Sequence, residues 1–157
     1  MTRIISISLS KGGVGKTTTA VNLSAALAIA GRRVLLIDTD TQAQAGKALG
    51  LRPEVGLADF MLGQVPFENA IVKARPKLDL LAGGFRLAAV KQVIAEADMR
   101  QEETLSAALK PFISSYNYVI IDTSPGWDNL QINVLFFAQE VLTPVNLEVL
   151  SLDGLIE

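Results

Sequence analysis

The chain has 157 residues, of which 50% are hydrophobic and 19% charged, with 14 Lys plus Arg against 16 Asp plus Glu. This balance suits one folded domain, residues 1–157, and excludes both a disordered chain and a globally basic nucleic-acid coat. The sequence contains no Cys and no His, which excludes disulfides, thiolate zinc sites, iron–sulfur clusters and catalysis by either residue. No apolar stretch reaches the ~20 residues of a membrane span, so we expect a cytoplasmic protein without membrane contact.

The first predicted elements are a strand, a glycine loop and a helix. Apolar residues at positions 4, 5, 7 and 9 indicate the strand, the sequence GGVG follows at residues 12–15, and apolar residues then recur at helical spacing up to Ala30. Gly31 is a natural helix C-cap, and the apolar run at residues 34–37 is typical of a strand covered on both faces. These elements predict a β-α-β unit that is complete at Asp38.

Strands and helices continue to alternate along the rest of the chain. Apolar runs predict strands at residues 78–81, 119–121 and 140–145. Helical spacing predicts helices at residues 87–97, 105–113 and 130–138, and a further helix that begins within residues 151–157. Pro111 is expected to bend or end the second of these helices. The alternation predicts an α/β fold with a mostly parallel sheet flanked by helices.

The glycine loop has the composition of a phosphate-binding loop. Residues 10–17 are SKGGVGKT, and they lie between a strand and a helix, where backbone amides and the helix dipole face an anion. The glycines let N–H groups approach phosphate oxygens, Lys16 can reach the β and γ phosphates, and the Thr17 hydroxyl can ligate Mg²⁺. Ser10 stands where the general pattern has glycine. The alternative is a glycine-rich turn that holds no ligand.

Three aspartates follow predicted strands and are candidates for acidic site residues. Asp38 and Asp40 are two residues apart, so an extended backbone would point both side chains to one face. Asp122 follows YVII at residues 118–121, which has the form of a Walker B strand. The alternatives are that Asp38 or Asp40 caps the following helix, and that Asp122 is an ordinary strand-ending residue.

The segment KGGVGKT resembles the deviant Walker A motif of the ParA/MinD family of ATPases, and Lys11 is the additional lysine that distinguishes it. LLIDTDTQ at residues 35–42 and YVIIDTSP at residues 118–125 resemble the switch and Walker B segments of that family. The sequence departs from the family pattern at Thr41 and Ser124, where the family usually has proline. The resemblance implies a three-layer P-loop NTPase fold that lacks its C-terminal part here, with ATP and Mg²⁺ as cofactors.

The resemblance also implies a role for each motif residue. In the family, the residue matching Lys11 reaches across a nucleotide-sandwich dimer, and the residue matching Asp40 orients the attacking water. The implied catalytic residues are Lys11, Lys16 and Asp40. The nucleotide-binding residues are Lys11, Gly12, Gly13, Val14, Gly15, Lys16, Thr17 and Thr18. The metal ligands are Thr17, Asp38 and Asp122.

Within the family, the absence of cysteine leaves partition, cargo-positioning and septum-site types. Gln42 and the DTSP loop resemble partition proteins of the ParA (Soj) type, which implies plasmid or chromosome partition by an ATP-hydrolysing homodimer. The implied partners are nonspecific DNA and a ParB-like protein that stimulates hydrolysis, and the implied location is the nucleoid. A MinD-like or cargo-positioning ATPase on a membrane or scaffold is the alternative, and a small ligase or kinase is a third.

Two short basic segments stand outside these motifs. One contains Lys73, Arg75 and Lys77, and the other is the pair Arg32 and Arg33. Both are expected to be solvated loop charges, because binding along DNA normally needs a larger patch.

Overall fold

A computed structural model describes residues 1–96 and 100–146 of the chain. Its strands are β1 (Arg3–Ile7), β2 (Val34–Asp38), β3 (Ile71–Arg75), β4 (Leu78–Leu81), β5 (Tyr118–Asp122) and β6 (Glu140–Leu142). Its helices are α1 (Lys16–Ile29), α2 (Gln44–Ala48), α3 (Leu57–Met61), α4 (Phe67–Ala70), α5 (Leu87–Glu96), α6 (Thr104–Leu109) and α7 (Asn129–Phe137). Across both described stretches, no helix has the length and apolar character needed to cross a bilayer.

The strands form one sheet in the order β3-β4-β2-β5-β1-β6. The β3–β4 pair is antiparallel, and the other neighbouring strands run parallel. Strand β5 lies between β1 and β2, so Asp122 is the register partner of both Ile7 and Asp38. The carboxyl ends of these central strands therefore meet at one edge of the sheet, which is where ligands bind in folds of this type.

Apolar side chains on both faces of the sheet explain why its strands are hydrophobic throughout. All five residues of β2 are buried. Leu35 and Ile37 pack toward α5, α6 and α7, whereas Leu36 packs on the other face toward α1 and α2. Side chains alternate between the faces of a strand, so a strand between two helix layers must be apolar at every position. The predicted three-layer α/β fold with a mostly parallel sheet is confirmed.

Most predicted elements are present, and the differences have local causes. The strand predicted at residues 78–81 is β4, and the helix predicted at 105–113 ends at Leu109, two residues before Pro111. The strand predicted at 140–145 is wrong in length, because β6 ends at Leu142, where its neighbour β1 also ends. The edge strand β3 and the short helices α3 and α4 were not predicted, and α2 was expected without bounds, as the helix that Asp38 or Asp40 could cap. Ala97 and the helix predicted within residues 151–157 lie outside the described residues.

Candidate functional site

The loop between β1 and α1 wraps the amino end of α1. Gly15 is the N-cap residue with φ 89°, and Gly13 has φ 75°, a left-handed conformation that favours glycine. No side chain caps α1 at Gly15, so the first backbone N–H groups of the helix face the loop with the positive end of the helix dipole. This arrangement suits an anion.

Lys16 lies beneath this loop with only 6% of its surface exposed. Its ammonium group donates a hydrogen bond to the Lys11 carbonyl oxygen at 2.7 Å. Burial lowers the pKa of Lys16, and attraction to Asp122 and Asp40 opposes that shift. The lysine is therefore a buried cation held between the loop and two acidic side chains.

Asp122 ends β5 and is completely buried. Neither of its carboxylate oxygens has a hydrogen-bond partner in the part of the chain that the structure describes. Burial raises its pKa to about 6, Asp40 adds to the rise, and the nearby Thr17 hydroxyl and Lys16 ammonium oppose it. Unpartnered buried carboxylate oxygens are rare, and oxygen donors of this kind are the ligands that Mg²⁺ prefers. Asp122 and Thr17 therefore fit a magnesium ion.

Asp38 is also completely buried, on the strand beside Asp122. Its two carboxylate oxygens accept hydrogen bonds from the N–H groups of Asp40 at 2.9 Å and Ala45 at 3.0 Å. Burial raises its pKa to about 7, although these two bonds lower it. Asp38 therefore caps the start of α2, which is one of the alternatives that the sequence left open for this residue. Its role as a metal ligand stays a prediction.

Asp40 lies beyond the end of β2, in the turn that leads to α2. One of its carboxylate oxygens accepts a hydrogen bond from the Gln42 N–H at 2.9 Å. It borders a cleft of about 760 Å³ next to the glycine loop. The cleft is lined by Gly12, Gly13, Gly15, Lys16, Thr17, Thr18, Asp40, Gln44, Lys47, Ala48, Thr123 and Pro125.

The cleft brings together most, but not all, of the residues predicted from the sequence. Lys11 and Val14 are absent from the lining: the Lys11 side chain is partly exposed and Val14 is buried. Asp38 and Asp122 lie in the buried layer at the ends of their strands. The structure thus separates the predicted residues into those on the cleft surface and the two acids below it.

Several residues around the cleft were missed from the sequence. Gln44, Lys47 and Ala48 come from α2, which was expected only as a helix after Asp40, and Thr123 follows the predicted strand directly. Gly83 was missed although a glycine pair after a strand signals a close approach. A Cβ atom at Gly83 would lie 2.5 Å from the Asp40 carbonyl oxygen and 2.8 Å from a carboxylate oxygen of Asp38. Glycine here allows the turn that carries Asp40 to pack against the end of β4.

The glycine loop is also tied to the segment between β5 and α7. The Gly126 N–H donates to the Ser10 carbonyl oxygen at 2.9 Å, and the Thr123 hydroxyl donates to the Ile7 carbonyl oxygen at 2.7 Å. Trp127 follows Gly126 and is 54% exposed. The two segments that border the cleft therefore form one hydrogen-bonded unit.

A parallel sheet with a glycine loop, a buried lysine and a strand-ending aspartate defines a P-loop protein of the α/β class. The family model AAA_31, which describes an AAA domain, matches residues 2–157. Among curated proteins, the chromosome partitioning protein ParA of Caulobacter vibrioides is 37% identical over 98% of this chain and 59% of its own length. The sporulation initiation inhibitor protein Soj of Bacillus subtilis is 38% identical over 99% of this chain and 62% of its own length. The chain belongs to the AAA_31 family, and its similarity to ParA and Soj supports the ParA/MinD family that the sequence motifs resemble.

Solved structures agree with this assignment. Cobyrinic acid a,c-diamide synthase from Mycobacterium smegmatis, with bound ATP analog and magnesium, has a TM-score of 0.88 and 34% identity, over 96% of this chain and 63% of that one. The ATP complex of a McdA variant from Cyanothece has a TM-score of 0.90 and 28% identity, over 99% of this chain and 60% of that one. The chain thus spans about 60% of the length of these proteins.

Proposed function

We propose that the chain binds ATP with Mg²⁺ and acts as an ATP-hydrolysing switch in plasmid or chromosome partition. The observation that carries this proposal is the convergence of the glycine loop, Lys16 and Asp122 at one edge of the sheet, with two buried carboxylate oxygens that lack partners. The name of the relative in Caulobacter, chromosome partitioning protein ParA, supports the cellular role. The bound nucleotides and magnesium of the structural neighbours support the ligand.

The proposal gives each site residue a separate task. Bound ATP with Mg²⁺ would supply the phosphoryl group that is transferred to water. The N–H groups of the loop and the Lys16 ammonium bind phosphate oxygens, while Thr17 and Asp122 hold the metal, with Asp38 in support. Asp40 orients the attacking water from the wall of the cleft. Such a site works by positioning and charge neutralisation, so no further nucleophile is needed.

A binding titration tests the ligand directly. A fluorescent ATP analogue is added to the chain with Mg²⁺ or with EDTA, and Lys16→Ala and Asp122→Ala are compared with the unmodified chain. Lys16→Ala should weaken binding by about 100-fold or more, since it removes the charge-assisted contact to phosphate. Asp122→Ala should remove the Mg²⁺ dependence. Lys73→Ala, a change at an exposed lysine of β3, is the control. Binding that is insensitive to Mg²⁺ and to Lys16→Ala would contradict the proposal.

The dimer of the proposed switch is tested at Lys11. We propose that its ammonium group reaches the phosphates held by a second copy. Because the Lys16 contact uses the Lys11 carbonyl oxygen, Lys11→Ala removes the ammonium group and keeps that backbone contact. Sedimentation velocity should show ATP-dependent dimers of the unmodified chain and monomers of Lys11→Ala. Dimers that survive this change would favour the ligase or kinase alternative, in which Lys11 has no task.

DNA and vesicle binding distinguish partition from a MinD-like ATPase, which together with a cargo-positioning ATPase is the second candidate. Partition predicts ATP-dependent binding to nonspecific duplex DNA and faster hydrolysis with a ParB-like protein. The MinD-like candidate predicts ATP-dependent sedimentation with anionic vesicles instead. DNA binding without vesicle binding supports partition or cargo positioning, and vesicle binding alone supports the MinD-like candidate.

A further inference from the structure

Two basic segments that are far apart in the sequence meet at the end of the sheet opposite the cleft. The turn after α1 carries Arg32, and the β3–β4 hairpin carries Arg75 at the end of β3 and Lys77 in its turn, so Arg75 is a strand residue and not the loop charge expected from the sequence. The Lys77 ammonium donates to the Gly31 carbonyl oxygen at 3.1 Å, and the Val34 N–H donates to the Lys77 carbonyl oxygen at 2.8 Å. Both turns precede parallel strands, so they lie at the amino-terminal edge of the sheet, away from Asp122.

Between these turns is a groove with apolar walls, here named the basic groove. Its volume is about 440 Å³. It is lined by Ala25, Ala28, Ile29, Gly31, Arg75, Pro76 and Lys77. Ile29, the last residue of α1, is 88% exposed. Covering such a large apolar side chain with a partner is energetically favourable, because it removes apolar surface from water.

The cations around the groove keep their charge available. The Arg75 guanidinium donates to the carbonyl oxygens of Ala74 at 2.6 Å and Leu49 at 3.2 Å, and Lys77 likewise binds a carbonyl oxygen. Within residues 1–96 and 100–146, none of Arg32, Arg75 and Lys77 forms an ion pair with a carboxylate. The carboxyl end of α1 contributes only about half a negative charge. Three cations therefore leave a positive surplus beside an apolar depression.

Neighbouring charges on the same hairpin face the other side of the sheet. Val72, Ala74, Leu78 and Leu80 pack on the α1 face of the sheet, so alternation turns Lys73 and Asp79 to the opposite face. A register shift between Lys73 and Arg75 interrupts the alternation, and Arg75 borders the groove on the α1 face. Lys73 and Asp79 are also register partners across β3 and β4. Asp79 accepts a hydrogen bond from the Tyr116 hydroxyl at 2.8 Å. Lys73 is thus a cation on the same hairpin that does not border the groove.

We propose that the basic groove binds an acidic peptide segment of a partner protein. An apolar side chain of that segment fills the groove beside Ile29, and carboxylates before and after it pair with Arg75, Lys77 and Arg32. Charge complementarity selects this occupant. Duplex DNA would meet the cations with its phosphate backbone, which has no apolar side chain to fill the groove. A second copy of this chain carries a formal net charge of only −2. The groove lies outside the proposed nucleotide site, so the two proposals stand or fall separately.

Fluorescence anisotropy with two families of labelled peptides tests the proposal. Each peptide has about 16 residues with Leu spaced for a helix or for a strand, and Glu fills the other positions in one family and Lys in the other. At least one Glu peptide should bind, and raising the salt from about 50 mM to about 500 mM should weaken it by about tenfold. Arg75→Glu with Lys77→Glu should weaken it by about tenfold or more, and Ile29→Ser by about fivefold.

The control variant is Lys73→Glu, which reverses a charge on the same hairpin and should change the peptide affinity by less than about twofold. Thermal melts and titration with the fluorescent ATP analogue verify that each variant keeps its fold and its cleft. The proposal is overturned if no Glu peptide binds, if Lys peptides bind equally, or if Ile29→Ser has no effect. It is also overturned if duplex DNA displaces the peptide. Finally, it is overturned if the Arg75 and Lys77 changes abolish self-association of the chain instead of peptide binding.

Discussion

Replacing Asp122 with Asn should stabilise the chain in EDTA while it removes Mg²⁺-dependent nucleotide binding. The carboxylate is completely buried, and its pKa rises from 3.8 to about 6. A difference of about 2 pKa units corresponds to about 3 kcal/mol at 1.36 kcal/mol per unit. That is the free energy by which the ionised Asp122 side chain destabilises the folded state, and the neutral Asn side chain avoids it.

The stabilisation depends on pH in a defined direction. Because the folded pKa of Asp122 is higher than its unfolded pKa, the folded chain binds the proton more tightly. Below about pH 4 the carboxyl group is protonated in both states, and Asn gains nothing from the missing charge. As the pH rises through about 6, the Asp122 carboxyl group ionises in the folded state as well, and the folded state then carries the whole free-energy cost of the buried charge. The gain in unfolding free energy should therefore grow between about pH 4 and 7 and stay constant above that range.

Urea unfolding followed by far-UV circular dichroism measures this gain in EDTA at several pH values. Asp128→Asn is the matched control, because Asp128 caps α7 through the Gln131 N–H and pairs with Lys91 at 2.6 Å. Asn retains such a cap, so this control should show no stabilisation that grows with pH. An Asp122→Asn chain that is less stable at about pH 8, or whose gain is the same at every pH, would refute the reasoning.

Three further results are expected. In EDTA, the unfolding free energy of the unmodified chain should fall as the pH rises through about 7. The raised pKa of Asp38 means that the fold favours its protonated carboxyl group, and this contribution to stability is lost when the group ionises. Urea titrations at each pH measure the change. Gly83→Ala should cost about 1–3 kcal/mol and slow any ATP hydrolysis, since its Cβ atom would contact the turn that carries Asp40; unchanged melting temperature and turnover would contradict this. Tyr116→Phe should cost about 1 kcal/mol in urea unfolding through loss of its hydrogen bond to Asp79; a cost below measurement error would be the contrary result.

The sequence predicted the elements whose signals are local and strong. β2 and β5 are short continuous apolar runs, a pattern typical of strands that are covered on both faces, and both strands are buried in this way. β3 was missed because its sequence IVKAR carries two charges and lies at the sheet edge, where burial imposes no apolar pattern. Its antiparallel pairing with β4 depends on tertiary structure and not on a local sequence pattern. α2, α3 and α4 have four or five residues each, too few for a helical period to be recognised.

The site divides in the same way. The glycine loop with Lys16 and Thr17 is contiguous, so its motif could be recognised before the structure was known. The approach of Lys16 to Asp122 depends on β5 pairing beside β1, an order of strands that the sequence does not state. The bond from the Ala45 N–H to Asp38 depends on where α2 packs. Contacts that the sheet order creates were therefore the part that local patterns could not predict.

Trp127 gives this molecule a built-in optical sensor. It is the single tryptophan of the chain, and it directly follows the residue whose N–H holds the Ser10 carbonyl oxygen. Its indole is partly in contact with water, a setting in which emission responds to small rearrangements. Selective excitation of the indole therefore monitors the junction of the glycine loop and the β5–α7 segment, with no added dye and no second indole to confuse the signal.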